Sequence, residues 1–472
     1  MAARRTYPLP CPSDSGLVVP HGPPMITDTR SRNSLERAGT RGDGGGSPKC
    51  GKGGALSLEE IDLTDGRNFV AGVPYEWFAE LRREAPAFWH PQESAPRGGF
   101  WAITRYDDCV QVNRDWEHFS SARGGSLFPD MDDDQLAQQQ LMMLNMDPTM
   151  HTRYRRLVNK GFTPKMVRDL EEQIVGYADG IIDAVCERGT ADFVEEISAE
   201  LPLLVIAELL GVPQEDRRMV FDWSNRMIGA EDPEYQVPGA DPGESAMQVY
   251  AYAEELATAR KLQPKEDLVS VLLNAEVEGE KLNELELDLF FLLLIVAGNE
   301  TTRNLMSGAM TAFFDHPDQW ELLRQDRSLL PGAVEEMLRY VTPVMHFRRT
   351  ATADMELHGQ EIEEGDKVVF WHTSANRDES AFDSPDAFDI TRSPNNHIAF
   401  GGGGPHFCLG ANLARMEIMV MFDRLLERIP DMRLDGEVQR LQSNFINGTK
   451  HIPIAFAPSA PVGGTPLPAR AR

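Results

Sequence analysis

Residues 400–410 read FGGGGPHFCLG, and a helix-forming segment, ANLARMEIMVMFDRLLERI, follows directly at residues 411–429. Because glycine has no Cβ, a run of four glycines lets the backbone lie flat against a bulky planar ligand. A cysteine at the start of a helix has its thiolate favoured by the helix dipole and by free backbone amides. The combination indicates that Cys408 is a thiolate ligand to a metal beneath a macrocycle.

Two plainer interpretations of this stretch need no metal. A glycine-rich phosphate loop requires the spacing GxGxxG. The pairs Gly401/Gly403 and Gly402/Gly404 are followed three residues later by His406 and Phe407, not by glycine, so the spacing excludes that loop. A buried free cysteine, by contrast, remains compatible with this stretch taken alone.

About 70 residues upstream, the segment GAVEEMLRYV has the pattern of a helix. Glu336 and Arg339 are three positions apart in it, which places the carboxylate and the guanidinium on one helix face. Glu335 and Arg339 are four positions apart and satisfy the same rule. The segment therefore indicates an ion pair involving Arg339 and leaves open which glutamate provides the partner.

The longest uncharged apolar run of the chain, Leu289–Ala297, leads into Ala-Gly-Asn-Glu-Thr-Thr at 297–302. A run that is apolar on all faces indicates a buried helix, where a glycine, an acid and two threonines are costly. A threonine can bond to a carbonyl one turn earlier and bend the helix, which opens a groove. Glu300 and Thr301 could then pass protons to a bound ligand. A capped break between two helices is the alternative.

A basic segment stands out in an acidic chain. Residues 147–168 contain six lysines and arginines against the single acid Asp147, while the whole chain has a formal net charge of −28. Within it, His151 and Arg155 share a helix face at a spacing of four residues. A solvated helix face is the plain interpretation of this pattern.

Composition excludes several classes of protein. The net charge argues against a nucleic-acid partner, and five scattered cysteines among 472 residues, without a CxxC pair, argue against a disulfide framework or a structural zinc site. Nine apolar residues at 289–297 are about half of a membrane span. We expect no membrane anchor and a cytoplasmic location, since residues 1–20 contain no apolar signal-like core.

The chain divides into a body and two ends. Residues 1–56 are glycine-rich and aperiodic and predict a disordered extension, residues 57–456 form the body, and residues 457–472 predict a flexible tail. Within the body, periodicity predicts a single, mostly α-helical domain with small β-sheets. The expected elements are a helix at Pro74–Ala85, strands at Ala87–His90 and Gly99–Thr104, helices from about 134 to 345, strands at Met355–Leu357 and Lys367–His372, a helix at Ala411–Arg428 and a hairpin-like segment at Ser443–Phe456.

Taken in order, these motifs resemble a cytochrome P450, and the resemblance covers residues 57–456. It implies that the fold is that of the P450 family, that Cys408 is the axial ligand of the iron of haem b, and that Glu300 and Thr301 are the acid and alcohol of the oxygen-activating helix. It further implies three groups of positions: haem contacts at His151, Arg155, Arg349, Phe400, His406 and Gly410; a structural network of Glu336, Arg339 and Arg392; and pocket walls at Phe128, Met142, Leu294, Ala297, Val344, Met345 and Phe445.

The cysteine loop departs from the family pattern FxxGxxxCxG, because position 401 is glycine and the aromatic residue, Phe400, lies one position earlier. The four-glycine loop is similar to that of soluble actinobacterial members that act on sterols and methyl-branched lipids. The resemblance thus implies a monooxygenase that inserts one atom of O2 into a sterol, terpenoid or methyl-branched lipid. A tailoring oxidase of natural-product synthesis and a non-catalytic haem sensor are the alternatives, and the Glu300–Thr301 pair disfavours the sensor.

Electrons would come from a separate partner, because no flavin- or iron–sulfur-binding sequence is found in the chain. The resemblance implies NAD(P)H, a ferredoxin reductase and an acidic ferredoxin that docks near Arg153, Arg155, Arg156 and Lys160. A local basic patch can steer such a partner despite the repulsive total charge.

Overall fold

Helices account for most of the architecture in the computed structural model, which describes residues 56–467 except 229–231, 235–241 and 278. The α-helices are α1 (Tyr75–Glu84), α2 (Tyr106–Arg114), α3 (Asp133–Gln139), α4 (Pro148–Val158), α5 (Pro164–Asp169), α6 (Glu171–Asp183), α7 (Glu200–Leu210), α8 (Arg217–Ile228), α9 (Pro242–Leu262), α10 (Leu268–Asn274), α11 (Glu284–Asp315), α12 (Pro317–Gln325), α13 (Leu330–Val341), α14 (His372–Ala375) and α15 (Ala411–Arg428). None of these helices is long and apolar enough to cross a membrane.

Within the described residues, short strands form four small sheets. The strands are β1 (Ala87–Pro91), β2 (Gly99–Ile103), β3 (Phe119–Ser120), β4 (Thr190–Asp192), β5 (His346–Ala351), β6 (Met355–Leu357), β7 (Gln360–Ile362), β8 (Lys367–Trp371), β9 (Arg433–Leu434), β10 (Gln439–Arg440), β11 (Thr449–His451) and β12 (Pro453–Ala455). The largest sheet has the order β1-β2-β8-β5-β3, with β2 and β8 parallel. The predicted fold class, a mostly α-helical single domain with small sheets, is confirmed.

The central helix is α11, whose 32 residues run without a break through the segment 297–302. Asn283 and Glu286 form a capping box at its start, which satisfies the first backbone amides. Its sides pack against α7, α9 and α13, so it is buried along most of its length. The alternative of two helices with a capped break is therefore wrong.

Two predictions for the C-terminal part differ from the structure. Residues 443–456 do not form a hairpin: β11 pairs with β10, whereas β12 pairs with β4 and β9. The tail also differs from the flexible segment expected, because residues 457–467 lie along α6, where three consecutive backbone amides at 462–464 each donate to the Asp183 carboxylate at 2.9 Å. Gly180 permits this approach, since a Cβ there would clash with the carbonyl of Thr465. Residues 1–55 and 468–472 lie outside the described residues.

Candidate active site

The loop before Cys408 has a backbone that only glycine adopts readily. Gly401, Gly402, Gly403 and Gly404 all have positive φ, at 96°, 61°, 103° and 78°. The loop wraps around the end of α2, where the Asn113 side-chain amide donates to the carbonyl of Gly403 at 2.8 Å and the Arg114 guanidinium donates to that of Gly402 at 2.7 and 2.9 Å. All four glycines, including Gly401 where the family pattern has an aromatic residue, are thus favoured by the conformation of this loop.

Cys408 lies at the end of this loop, three residues before α15, and borders a large cavity. Its backbone amide donates to the carbonyl of Phe400 at 3.0 Å, and the backbone amide of Gly410 is directed at its sulfur. Burial raises the pKa of the thiol, and the Gly410 amide and Arg155 oppose that effect. A bound metal cation would deprotonate such a thiol outright.

The cavity encloses about 1480 Å³ of empty space, part of it continuous with solvent. One wall is the groove side of α11, with Leu294, Ala297 and Thr301, and the opposite wall is β5 and the segment before it, with Val344 and Phe347. The Cys408 loop closes the third side. The cavity is therefore an apolar chamber, and one side of it is formed by a cysteine that lies just before the N-terminus of α15.

Four nitrogen-bearing side chains from distant parts of the chain meet at one edge of the cavity. His151 and Arg155 come from α4, Arg349 from β5 and His406 from the cysteine loop. The two imidazole rings are 4.3 Å apart between centroids, and the His406 Nε2 atom lies 3.1 Å from the Ser121 hydroxyl and 3.0 Å from the Met146 carbonyl oxygen. The sequence-predicted haem contacts are thus brought together.

This edge of the cavity has an excess of positive charge that an anionic ligand would neutralise. Arg349 is fully buried, and within the described residues it bonds only to the Arg348 carbonyl and the Asn113 amide oxygen, not to a carboxylate. Burial lowers the pKa of Arg349 to about 10, and burial together with Arg155 and Arg349 lowers the pKa of His151 to about 4. The His151 Nε2 atom has no hydrogen-bond partner among the residues that the structure describes. A planar macrocycle with two carboxylates, held by Cys408, fits these residues.

Thr301 and Glu300 point in different directions. The Thr301 hydroxyl lies on the cavity wall and donates to the Ala297 carbonyl at 2.8 Å, the bond predicted from the sequence. The Glu300 side chain lies outside the cavity lining, because Arg303 holds its carboxylate at 3.2 Å and the Asn304 amide donates to it at 3.2 Å. Adjacent residues of α11 can line the same cavity, as Thr301 and Thr302 do, so the direction of Glu300 follows from these two bonds and not from helix geometry.

Of the seven predicted wall residues, Leu294, Ala297 and Val344 line the cavity. The other four are not among the residues that line this cavity, and their place in the substrate pocket stays a prediction: Phe128, Met345 and Phe445 pack in or around the core beneath the largest sheet, and Met142 precedes the lining residues Met143 and Leu144.

The predicted structural network is present. Glu336 accepts from Arg339 at 2.8 Å, from Arg392 at 3.1 Å and from the Asn395 amide at 3.0 Å. The question of which glutamate pairs with Arg339 is thereby settled, because Glu335 accepts from Arg415 and lies 3.0 Å from a histidine nitrogen instead.

Two polar residues on the cavity wall, Glu417 and Asn113, escaped the sequence analysis. Glu417 on α15 is buried, its Oε2 has no partner within the described part of the chain, and burial raises its pKa to about 8. Its position among apolar residues in MEIMVM was the available signal. Asn113 holds Arg349 and the glycine loop together, and nothing in its local sequence marks it.

The fold and the site together define the class of protein: a helical haem protein in which a cysteine binds the iron. A family model described as Cytochrome P450 matches residues 247–430. A Steroid C26-monooxygenase of Rhodococcus jostii (strain RHA1) is 42% identical over 416 residues, covering 87% of each chain. The chain therefore belongs to the cytochrome P450 family and is a haem-thiolate monooxygenase.

Solved structures agree with this assignment. CYP268A2 of Mycobacterium marinum, in complex with pseudoionone, superposes with a TM-score of 0.78 at 40% identity, covering 86% of this chain and all of that chain. CYP109E1 of Bacillus megaterium, in complex with corticosterone, superposes with a TM-score of 0.72 at 33% identity, covering 81% of this chain and 98% of that chain.

Proposed function

We propose that this monooxygenase oxidises a sterol-like or methyl-branched lipid. The observation that carries the proposal is the apolar wall formed by Leu294, Ala297, Val344 and Phe347 next to Thr301 and Cys408. An apolar wall with few polar groups selects a large hydrophobic substrate. Relatives whose printed names or ligands are steroids support the same class of substrate.

Haem, when bound, supplies the iron at which O2 is activated so that one oxygen atom enters the substrate. The residues of this chain bind and orient the reactants. Cys408 would hold the iron, and His151, Arg155, Arg349 and His406 would hold the two carboxylates of the macrocycle. The apolar face of α11 excludes water from the reacting atoms.

Proton supply is the role proposed for Thr301 and Glu300. The Thr301 hydroxyl is a polar group of α11 on the cavity wall, and its lone pairs can accept a hydrogen bond from a proton-donating water. Glu300 lies one residue earlier with its carboxylate against Arg303 and Asn304. Its side chain would reach the cavity by rotating away from Arg303. In that conformation, the carboxyl group would pass a proton to Thr301 through a water molecule.

A separate acidic ferredoxin is the proposed electron donor, and the proposed docking surface follows from the charges in and after α4. Arg155 lines the cavity, and Arg153 is matched by Glu280 at 3.0 Å and Glu286 at 3.3 Å. Lys160 is exposed and donates to a neutral carbonyl, so its charge is not cancelled there. Together with the exposed Arg156, it would supply the local positive charge that steers the partner.

An optical titration of the haem-loaded protein tests the substrate. A sterol or a methyl-branched fatty acid should displace water from the iron and convert the haem from low to high spin, whereas a short monoterpene should do so weakly. Ala297→Phe fills the cavity and should abolish the shift, and Met142→Leu, outside the lining, should preserve it. No shift with either lipid would contradict the proposal and favour a natural-product substrate.

A further inference from the structure

A histidine and a tryptophan form a buried pair beneath the cavity wall with unused hydrogen-bonding capacity. His346 on β5 and Trp371 on β8 are direct cross-strand neighbours, and their rings are 4.4 Å apart between centroids. Both residues have no exposed surface. Both ring nitrogens of His346 and the indole nitrogen of Trp371 have no partner among the described residues. Buried polar groups are otherwise almost always bonded, so this pair requires an explanation.

The pair lies close to the substrate cavity. The Phe445 ring contacts His346 at 5.4 Å and Phe347 at 5.9 Å between centroids, and Phe347 lines the cavity. On its other side, His346 meets the edge of Phe128 at 5.6 Å. Two ring contacts, from Phe347 to Phe445 and from Phe445 to His346, therefore connect the cavity lining to the pair.

The chemistry of the pair specifies the kind of group that it would bind. Burial lowers the pKa of His346 to about 3, so its ring is neutral and offers one donor and one acceptor. The tryptophan offers one donor. The nearest ammonium, Lys367, is paired with Asp130 at 3.1 Å and stacks on Phe128. A neutral oxygen that accepts hydrogen bonds, as in an alcohol or a ketone, satisfies the pair better than a charged group.

The cavity wall itself offers little for such an oxygen. Its polar lining consists of the cations at the haem edge, Asn113, Glu417 and two threonines on α11, all near the cysteine or the macrocycle. An elongated lipid with one oxygenated end would leave that end without a partner in the cavity. Movement of the Phe445 ring would extend the chamber to His346.

We propose that His346 and Trp371 form a recognition site for the alcohol or ketone oxygen at one end of an elongated hydrophobic substrate, reached when the Phe445 ring moves aside. This inference deepens the proposed function and rests on it for the identity of the substrate. It assigns specificity to two residues that have no contact with the reacting atoms.

Matched ligand pairs test the inference. The affinity of the haem-loaded protein is measured by the spin shift for a 3-hydroxysterol and its 3-deoxy counterpart, and for a methyl-branched alcohol and its alkane. The wild type should bind the oxygenated member of a pair about tenfold more tightly, as one net hydrogen bond provides. His346→Phe and Trp371→Phe should each reduce that ratio towards one and leave the affinity for the deoxy ligand unchanged.

His372→Phe is the matched comparison, because His372 is another buried histidine whose two ring nitrogens have no partner among the described residues, and its ring contacts Phe347 and Phe370 but not Phe445. It should keep the ratio, and the spectrum of the reduced carbon monoxide complex shows that each variant is folded. An equal ratio in wild type and His346→Phe would overturn the inference and assign the nitrogens to buried water. If only the branched pair shifts the spectrum, the sterol proposal fails, while a ratio lost in His346→Phe still supports this site.

Discussion

The carboxylate of Glu336 accepts two hydrogen bonds of 2.8 Å from the guanidinium of Arg339, one turn later on α13, and neither side chain is exposed. The remaining guanidinium N–H groups donate to backbone carbonyls of residues 376, 385 and 387. One ion pair thus ties α13 to the irregular chain that leads to the Cys408 loop. The placement of Cys408 therefore depends on this ion pair, because the pair holds the segment that leads to the Cys408 loop.

Glu336→Ala should destabilise the protein by about 3–5 kcal/mol, because it leaves the Arg339 charge buried without its partner. The chain at 376–395 would lose its anchor, and the purified variant should contain little haem. Urea unfolding and the ratio of haem to protein measure both effects. Glu335→Ala is the control: its partner Arg415 is one-third exposed, so the loss should be much smaller. Equal losses in the two variants would contradict the special role of Glu336.

Thr301→Ala should uncouple electron use from product formation. The variant loses the hydroxyl on the cavity wall that would position a proton-donating water, while the helix keeps its backbone bonds. The product formed per electron consumed should fall about 100-fold, at the lower end of the range that general acid catalysis contributes. Thr301→Ser, which retains a hydroxyl, should recover most of the yield. An unchanged yield in the alanine variant would show that Thr301 carries no proton.

The sequence predicts best where function depends on neighbours along the chain. The Cys408 loop, a glutamate–Arg339 ion pair on one helix face and the bounds of α15 follow from local spacing, and the structure contains each of them, with Glu336 as the glutamate. The Thr301 bond to Ala297 is likewise a property of one helix turn. These features need no knowledge of the rest of the fold, because their partners lie within a few residues.

The sequence does not predict which way a side chain points in the folded protein or which distant strands pair. Phe128, Met345 and Phe445 are apolar residues at family positions, yet whether each faces the cavity or the core depends on strand alternation and loop register. The direction of Glu300 depends on Arg303 and Asn304, and either helix face would have been compatible with the local pattern. The pairing partners of β11 and β12 come from segments distant in sequence, so a local hairpin was predicted in their place.

Arg349→Met should stabilise the apoprotein and weaken haem retention. The buried guanidinium has no carboxylate partner in the described structure, so its removal should raise the free energy of unfolding of the apoprotein by about 1–3 kcal/mol. The same change removes a charge-assisted bond to the macrocycle, so haem transfer to apomyoglobin should be faster. Arg348→Met should instead destabilise the apoprotein, because Arg348 pairs with Asp130 at 2.8 Å. Destabilisation by both variants would contradict the assignment of Arg349 to an anion.

Glu417→Gln should stabilise the protein increasingly as the pH rises. The folded-state pKa of Glu417 is raised by burial from 4.5 to about 8, so folding requires its protonated form. The wild type therefore loses about 1.4 kcal/mol per pH unit across that window, and glutamine, which has no proton to lose, avoids the penalty. Urea unfolding should give equal stabilities for the two proteins at pH 4 and a higher value for the variant at pH 7. Equal values at both pH values would show that the carboxyl is not buried uncharged.

Reversal of charge at Lys160 and Arg156 should slow haem reduction by an acidic ferredoxin, because these exposed side chains contribute the positive field that steers the encounter. In stopped flow at low ionic strength, the double variant to glutamate should be reduced about tenfold more slowly, with the difference vanishing at high salt. Substrate binding should be unaffected. Arg153→Glu should mainly reduce stability, since it places a third acid beside Glu280 and Glu286. If the double variant is reduced at the wild-type rate, the ferredoxin docks elsewhere and not near α4, because steering depends on the charges nearest to the point of contact.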